Sequence, residues 1–188
     1  IVGFDAVFPE PDTQISRYTL QQISEGESNL NVRDLLKLST YLYPDQRFAD
    51  AIDSRPVVLG FPFDHGTLDR TGAKTVGALA APVLAPDPRL ESIPFPTADG
   101  MIGNLPLLQE RTLWGGFFDN PSVDVDGVYR RVPLLQRYED QYYPSLALSM
   151  MMALFGETEV VPVIESDATG KHNAITAVEV AGIPVPVD

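Results

Sequence analysis

The stretch from Trp114 to Gly156 decides the fold and reads WGGFFDNPSVDVDGVYRRVPLLQRYEDQYYPSLALSMMMALFG. Two apolar segments flank the turn Asp124-Val-Asp126-Gly127, and Asp-Gly between apolar runs is a strong signal for a β-hairpin. Gly127 can adopt a positive φ there at little steric cost. The stretch therefore predicts a strand, a tight turn and a second strand.

An apolar helix is expected directly after the second strand. Pro144 suits its first position, and Gly156 suits the position just beyond its last turn. The side chains between them are almost all apolar: Leu146, Ala147, Leu148, Met150, Met151, Met152, Ala153, Leu154 and Phe155. Because no polar face is left, the pattern predicts a helix that is buried on all sides.

The first third of the chain has a strand, helix, strand pattern. Residues 1–8 and 56–61 predict buried strands. Between them, Asn31 predicts the cap of a helix rich in leucine, and Asp45 predicts the cap of a short second helix carrying Phe48, Ala49 and Ile52. Strands at this spacing are typical of a parallel pair with a right-handed crossover. We therefore expect an α/β fold with a mixed, partly parallel central sheet and flanking helices.

The remaining segments are less regular. Residues 64–103 are rich in proline and glycine, which indicates a long covering loop, either a functional lid or extended chain along a sheet edge. Asn104 is expected to cap a short helical turn through Glu110, ahead of a strand at 112–118. Further strands, which are expected to form an antiparallel β-hairpin extension, are predicted at 159–164, 174–180 and 180–185.

Composition excludes several kinds of partner and chemistry. The chain has 188 residues, with 26 acidic against 13 basic ones, and its formal net charge of −13 repels nucleic acid and anionic lipid surfaces. Zero cysteines exclude disulfides, thiolate catalysis and cysteine-ligated zinc within it. No window approaches 18 apolar residues, and no signal peptide is visible. Both ends lie in extended apolar sequence, so residues 1–188 are expected to be one domain lacking its N-terminal and C-terminal portions.

The acidic residues around the turn suggest a calcium loop, but the spacing does not match one. Aligning Asp124, Asp126 and Gly127 with the third, fifth and sixth positions of an EF-hand places Ser122 and Pro133 where carboxylates are required. Our first interpretation is therefore that the aspartates support the turn through hydrogen bonds to its backbone. A calcium-stabilised interaction module is kept as an alternative.

A second alternative is a hydrolase that uses Asp119 and Asp126 as a carboxylate pair. Arg130 and Arg131 lie nearby, and consecutive residues on a strand point to opposite faces. One of these arginines is expected to pair with the acidic turn, or else to bind an anionic ligand.

No catalytic motif is found elsewhere. His65 follows Asp64 at a predicted strand end, His172 lies in a surface-like turn, and no nucleophile elbow, phosphate loop or H-E-x-x-H motif is present. Ser145 and Ser149 are interpreted as a capping hydroxyl and a small packing residue. The tyrosines are interpreted as half-buried sheet residues rather than a recognition surface: Tyr129, Tyr138, Tyr142 and Tyr143.

An ordered set of short motifs resembles the CHASE2 family of extracytoplasmic sensory domains in bacterial transmembrane receptors. It covers most of residues 1–155. The matching pieces are GFDAVFPEPD (3–12), DQRFADAI (45–52), PVVL (56–59), GFFDN (116–120), DGVYRRVPL (126–134) and YPSLAL (143–148). Two departures stand out, because the family's first strand and helix should precede residue 1, and the segment 13–44 is longer than the family pattern.

The resemblance implies a sensory domain rather than an enzyme. It implies a periplasmic or extracellular location, membrane helices outside this segment, and a cytoplasmic output such as an adenylate or guanylate cyclase, a histidine or serine/threonine kinase, or a diguanylate cyclase. It implies no known ligand and no cofactor; the signal is an unknown small molecule or protein, and a homodimer of the parent receptor is left open. The candidate ligand-binding residues are Asp5, Asp119, Asp126, Arg130 and Arg131.

Overall fold

The computed structural model describes residues 1–12, 43–66, 74–121, 126–169 and 172–187. Within these ranges it contains eleven strands, three α-helices and one 3₁₀ helix. In chain order they are β1 (Val2–Phe4), α1 (Pro44–Ile52), β2 (Val57–Phe61), β3 (Phe63–Asp64), β4 (Thr75–Val76), the 3₁₀ helix (Pro88–Ser92), β5 (Gly100–Ile102), α2 (Pro106–Gln109), β6 (Trp114–Phe117), β7 (Leu135–Tyr138), β8 (Gln141–Pro144), α3 (Leu146–Phe155), β9 (Val161–Ser166), β10 (Asn173–Val180) and β11 (Ile183–Pro186).

The strands form four sheets, which confirms the expected α/β class. The parallel sheet has the order β1-β2-β6, and the helices pack on its two faces. The tail strands form the antiparallel sheet β11-β10-β9, and β7 pairs with β8 as an antiparallel hairpin. Parallel and antiparallel pairing are thus largely segregated into different sheets. The exception is the small sheet β3-β5-β4, in which β5 runs antiparallel to β3 and parallel to β4.

The helices cover the two faces of the parallel sheet, with α1 and α2 on one face and α3 on the other. Val57 and Leu59 lie in a buried cluster with Ala49 and Ile52 of α1 and Leu108 of α2. The opposite face carries α3, whose side chains and backbone approach the glycines of the flanking strands. Strand β2 is buried at all five positions, as a central parallel strand is expected to be.

Glycines bring α3 close to the sheet. A Cβ on Gly116 would lie 2.6 Å from the Leu146 Cα, and one on Gly3 would lie 2.5 Å from the Met150 sulfur. The helix begins after Ser145, whose side chain accepts a hydrogen bond from the Leu148 N–H, and it ends at Gly156 with a φ of 75°. The capping role of Ser145 and the left-handed end at Gly156 are confirmed. Pro144 is the last residue of β8, so its expected place inside the helix is wrong.

The prediction that α3 is buried on all sides is also wrong. Only one face is buried, through Leu148, Ser149, Met152 and Ala153. Leu154 is 64% exposed, and Met150 and Phe155 are also exposed within the described chain. The all-apolar sequence concealed this arrangement because a helix without polar residues gives no contrast between its two faces.

The two shorter helices start at prolines rather than at the expected caps. Helix α1 begins at Pro44, and the Asp45 carboxylate instead accepts a hydrogen bond from the Asp12 N–H. Helix α2 begins at Pro106 and its cap residue is Leu105. Proline suits these positions because the first N–H groups of a helix have no partner within it. The leucine-rich helix predicted after Asn31 lies outside the described residues.

The hairpin predicted at Asp126-Gly127 is wrong, although Gly127 does have a positive φ of 79°. Residues 128–133 form no strand, and β6 pairs with β2 instead. The hairpin lies further along the chain, between β7 and β8, and its two turn residues are Glu139 and Asp140. Both have positive φ, at 47° and 61°. That conformation is the type I′ turn that suits the twist of paired strands.

The segment 64–103 has more structure than the loop expected there. It contains β4, the 3₁₀ helix and β5, and Asp87 caps the 3₁₀ helix by accepting from the Arg89 N–H. Residues 96–98 run along β7, with hydrogen bonds from Ala98 N–H to the Arg137 carbonyl and from Arg137 N–H to the Pro96 carbonyl. Of the two interpretations, extended chain along a sheet edge therefore describes this part.

Candidate functional site

The carboxyl ends of β2 and β6 carry the most connected polar cluster among the described residues. Strand β2 leads through Phe63 and Asp64 to His65, and β6 leads through Phe118 to Asp119. Crevices outside the carboxyl ends of parallel strands are the usual ligand sites of open α/β sheets. This edge is therefore the candidate functional site.

The Asp119 carboxylate is held by three partners from two segments, the one that follows β2 and strand β7. Its Oδ1 accepts a hydrogen bond from the Phe63 N–H at 2.7 Å. Its Oδ2 accepts from the Gln136 Nε2 at 3.1 Å and lies 2.9 Å from the His65 Nε2. These contacts fix the carboxylate between the end of β2 and strand β7.

The His65 ring joins this carboxylate to the segment that runs along β7. Its Nδ1 lies 3.2 Å from the Thr97 carbonyl oxygen, while its Nε2 faces Asp119. The side chains of His65 and Asp119 are 20% and 18% exposed, so solvent reaches both. The pair is therefore partly buried yet open to exchange with the surrounding medium.

Gln136 forms the buried floor of the site. The residue is fully buried, and its Oε1 has no hydrogen-bond partner although its Nε2 donates to Asp119. A buried acceptor without a donor costs about 1–3 kcal/mol in folding free energy. Such unpaired groups are rare in proteins and are worth explaining when they lie beside a polar cluster.

A second carboxylate beside the site is fixed by backbone donors. The Asp64 Oδ2 accepts from the Lys74 N–H at 2.8 Å, and its Oδ1 accepts from the Gly66 N–H at 2.9 Å. The Lys74 and Gly66 amides, with the nearby His65 ring, lower the pKa of Asp64 below its usual value. Asp64 therefore keeps a negative charge beside the ring.

The other predicted site residues lie in a separate group. Asp126 forms a bidentate ion pair with Arg130, at 2.7 and 2.9 Å, and this guanidinium lowers the pKa of Asp126. The Arg131 carbonyl accepts from the Asn120 side chain. Arg130 thus has the predicted structural role, but the assumption that Arg130 and Arg131 occupy a strand is wrong.

Asp5 directly follows β1 and is exposed. It lies at the same carboxyl edge of the parallel sheet as Asp119, because β1 and β6 run in the same direction. The sequence-predicted candidates are thus divided between this edge and the ion-paired loop at residues 126–131.

The two alternative chemistries receive no support from the described residues. Asp119 and Asp126 belong to different hydrogen-bond sets, one centred on His65 and Gln136 and the other on Arg130. Among the described side chains, no group of three or more histidines and carboxylates is placed to hold a metal ion. Asp124, the other acid of the suggested calcium loop, lies outside the described residues.

An apolar groove lies elsewhere, where the β9-β10-β11 sheet meets the proline-rich segment before β5. Its volume is about 340 Å³, and its lining includes Phe95, Leu134, Ile175 and Val178. Phe95 also packs against Tyr142, with ring centroids 4.7 Å apart. The groove's polar side chain, Asn173, already bonds to Ser92 and Ser166.

The tyrosines are sheet residues, as expected, with one exception. Tyr138, Tyr142 and Tyr143 are buried, and burial raises the pKa of Tyr142 and Tyr143 above the usual value. Tyr129 is 59% exposed because it lies in the irregular segment that replaces the predicted strand.

The comparison with known families decides the classification. The CHASE2 domain family matches residues 1–187, which is essentially the whole chain and more than the region covered by the short motifs. This chain belongs to the CHASE2 family. CHASE2 domains are extracytoplasmic, non-catalytic sensory domains, so the chain has a sensing role. No curated protein and no solved structure shows a significant match.

The described helices of this CHASE2 domain are short. Within the described ranges, none is both long enough and apolar enough to cross a bilayer.

Proposed function

We propose that this CHASE2 domain senses a signal outside the cytoplasm and regulates a cytoplasmic cyclase or kinase that belongs to the same protein. The family match over residues 1–187 carries this proposal. The strongly acidic composition, with a net charge of −13, is compatible with a domain that keeps away from anionic membrane surfaces. Membrane helices outside this segment would connect it to the output.

Regulation in this proposal is a population shift. A signal that binds one arrangement of the domain more tightly than another biases the attached membrane helices toward the state that this arrangement favours. The carboxyl edge of the parallel sheet, with Asp5 and Asp119, is the proposed sensing side. Asp126, Arg130 and Arg131 form a second proposed contact region. They would bind an anionic signal only if that signal broke the ion pair between Asp126 and Arg130.

The coupling can be tested with a substitution that perturbs the fold without touching the site. Asn104 is fully buried, accepts from the Phe8 N–H and donates to the Gly60 carbonyl. Asn104→Ala removes the side-chain partner of both backbone groups and should loosen the domain. In membranes that carry the full-length protein, we expect the cyclase or kinase output to change about fivefold or more.

The matched control is Thr158→Ala, since Thr158 is exposed. This control should leave the output at the wild-type level. Equal outputs from the wild type and Asn104→Ala, at equal membrane abundance and with a lowered melting temperature for the variant, would contradict the proposed regulation.

The identity of the signal can be approached with a thermal-shift screen of the full extracytoplasmic domain. A ligand present at one hundred times its Kd stabilises the folded state by about 2.7 kcal/mol. We also propose that the parent receptor forms a homodimer. The molar mass of the purified full-length protein in detergent measures this.

A further inference from the structure

The hydrogen bonds of His65 require one proton more than a neutral histidine and a carboxylate provide. The ring places Nδ1 3.2 Å from the Thr97 carbonyl oxygen and Nε2 2.9 Å from the Asp119 Oδ2. Both oxygens are acceptors. A neutral imidazole has only one N–H, so one of its nitrogens would direct a lone pair at an oxygen.

One added proton satisfies every partner of the pair. An imidazolium donates from both nitrogens, to Thr97 and to the ionised Asp119. The same proton count is reached when a neutral ring donates to Thr97 and accepts a hydrogen bond from a protonated Asp119. In either form the other donors to Asp119, Phe63 N–H and Gln136 Nε2, remain in place.

The charges around the ring also favour an added proton. Two carboxylates lie close to it, Asp119 in direct contact and Asp64 within electrostatic range, and the Asp99 carboxylate lies beside Gly66. Of the described cations near this edge, Arg137 donates its guanidinium to Asp140. Lys74 contributes its backbone N–H to Asp64.

We propose that His65 and Asp119 form a proton-binding pair, and that this CHASE2 domain responds through it to the pH outside the cytoplasm. The inference deepens the proposed function and rests on it, since it names the proton as a signal. Histidine is the side chain whose charge ordinarily changes between about pH 5 and 8. The partial exposure of both side chains gives protons from the medium access to the pair.

When the His65–Asp119 pair loses its proton, one of the two hydrogen bonds of the His65 ring is lost, and with it a contact between separate segments of the fold. The ring connects the end of β3 to Thr97, and Thr97 forms a β-bridge with Arg137 of β7. A deprotonated pair can keep the bond to Thr97 or the bond to Asp119, but not both. Because the folded arrangement needs the added proton to keep both bonds, we expect the contribution of this pair to stability to decline as the proton is lost with rising pH.

The thermodynamic test is urea unfolding of the full chain at pH 5.5, 6.5, 7.5 and 8.5. For the wild type, we expect the unfolding equilibrium constant to rise with pH, at most by about tenfold per pH unit for one linked proton. His65→Gln should abolish this rise. His172→Gln is the matched control, because His172 is exposed and is the other histidine of the chain, and it should retain the wild-type rise.

A second variant keeps the test decisive if His65→Gln folds poorly. In Asp119→Asn, the new amide can donate to the His65 Nε2, so a neutral ring with its proton on Nδ1 satisfies both contacts. Its unfolding constant should be flat over the same pH range. A rise equal to that of the wild type, in either His65→Gln or Asp119→Asn, would overturn the proton-binding pair.

The functional arm uses the full-length protein in sealed vesicles, with the pH varied only on the side that this domain faces. We expect the wild-type output to change with that pH and the His65→Gln output not to change. If Asn104→Ala alters the output while wild type and His65→Gln respond identically to pH, the proton inference is wrong and the regulatory function stands. If Asn104→Ala and pH both leave the output unchanged, both proposals are wrong.

Discussion

Two glycines of this domain differ in what a side chain would meet. A Cβ on Gly116 would lie 2.6–2.8 Å from backbone atoms of Ser145 and Leu146, whereas a Cβ on Gly127 has nothing within 4 Å. Gly116→Ala should therefore lower the free energy of unfolding by about 1–3 kcal/mol, since α3 must move away from the sheet. The measurement is chemical denaturation of the full chain.

Gly127→Ala is the matched comparison, because its cost comes from a positive φ of 79° alone. It should cost about 1 kcal/mol or less. If Gly116→Ala proved as mild as Gly127→Ala, the close contact between α3 and β6 would be wrong.

The individual residues of the site were only partly predictable. An acid at a strand end makes Asp119 a candidate, but its partner His65 is a single histidine at a strand end, and that pattern alone predicts no site. His65 is separated from Thr97 by 32 positions and from Asp119 by 54. Local sequence patterns report on neighbours within a turn or a strand. Contacts made by the order of strands in a sheet leave no such signal.

Helix α3 is an amphipathic element in its packing but not in its composition. Met152 is 1% exposed and lies in a core cluster, while Leu154 is 64% exposed. Met152→Ala should destabilise the fold by about 2–5 kcal/mol through the cavity it leaves. Leu154→Ala should change stability by no more than about 0.5 kcal/mol. Equal losses in the two variants, measured by urea unfolding, would show that the helix is buried on both sides.

Elements with a strong local pattern were predicted well. The buried strand β2 and the antiparallel tail strands are predicted by their runs of apolar, β-branched residues, and the parallel pairing of β1 with β2 is predicted by the strand, helix, strand spacing. Helix α1 was expected from Ala49 and Ile52, which are buried.

The hairpin shows where local patterns mislead. Asp126-Gly127 has the right turn residues and Gly127 the right φ, yet no strand follows, and Arg130 binds Asp126 instead. The observed turn uses Glu139 and Asp140, and of these two residue types only aspartate is enriched at positive φ. Pairing between β7 and β8 and the Arg137–Asp140 ion pair hold it, and neither is a property of the turn sequence.

At the scale of the whole molecule, fixed carboxylates set the behaviour in acid. Hydrogen bonds from Arg89 and Arg130 lower the pKa of Asp87 and Asp126 in the folded chain, and backbone N–H groups lower that of Asp64. A lowered folded pKa gives stability that is present above the unfolded value of about 3.9 and is lost as pH falls below it. The melting temperature should therefore drop between about pH 4 and pH 2.

The double variant Asp87→Asn/Asp126→Asn should show a smaller drop over the same pH range. The difference from the wild type should shrink in about 1 M salt, because both ion pairs are exposed to solvent. A drop as large as in the wild type at low salt would mean that these two carboxylates do not contribute.

The assignment of the whole domain as an extracytoplasmic sensor is tested most directly by its location in intact cells. The chain has no cysteine, so a single cysteine introduced into this domain is the one site in it that a thiol reagent can label. Ala168 lies in an exposed turn, and Ala49 is fully buried and serves as the control. Ala168→Cys should react with a membrane-impermeant maleimide in cells whose cytoplasmic membrane is intact, while Ala49→Cys should not. Labelling of Ala168→Cys only after that membrane is disrupted would contradict the account.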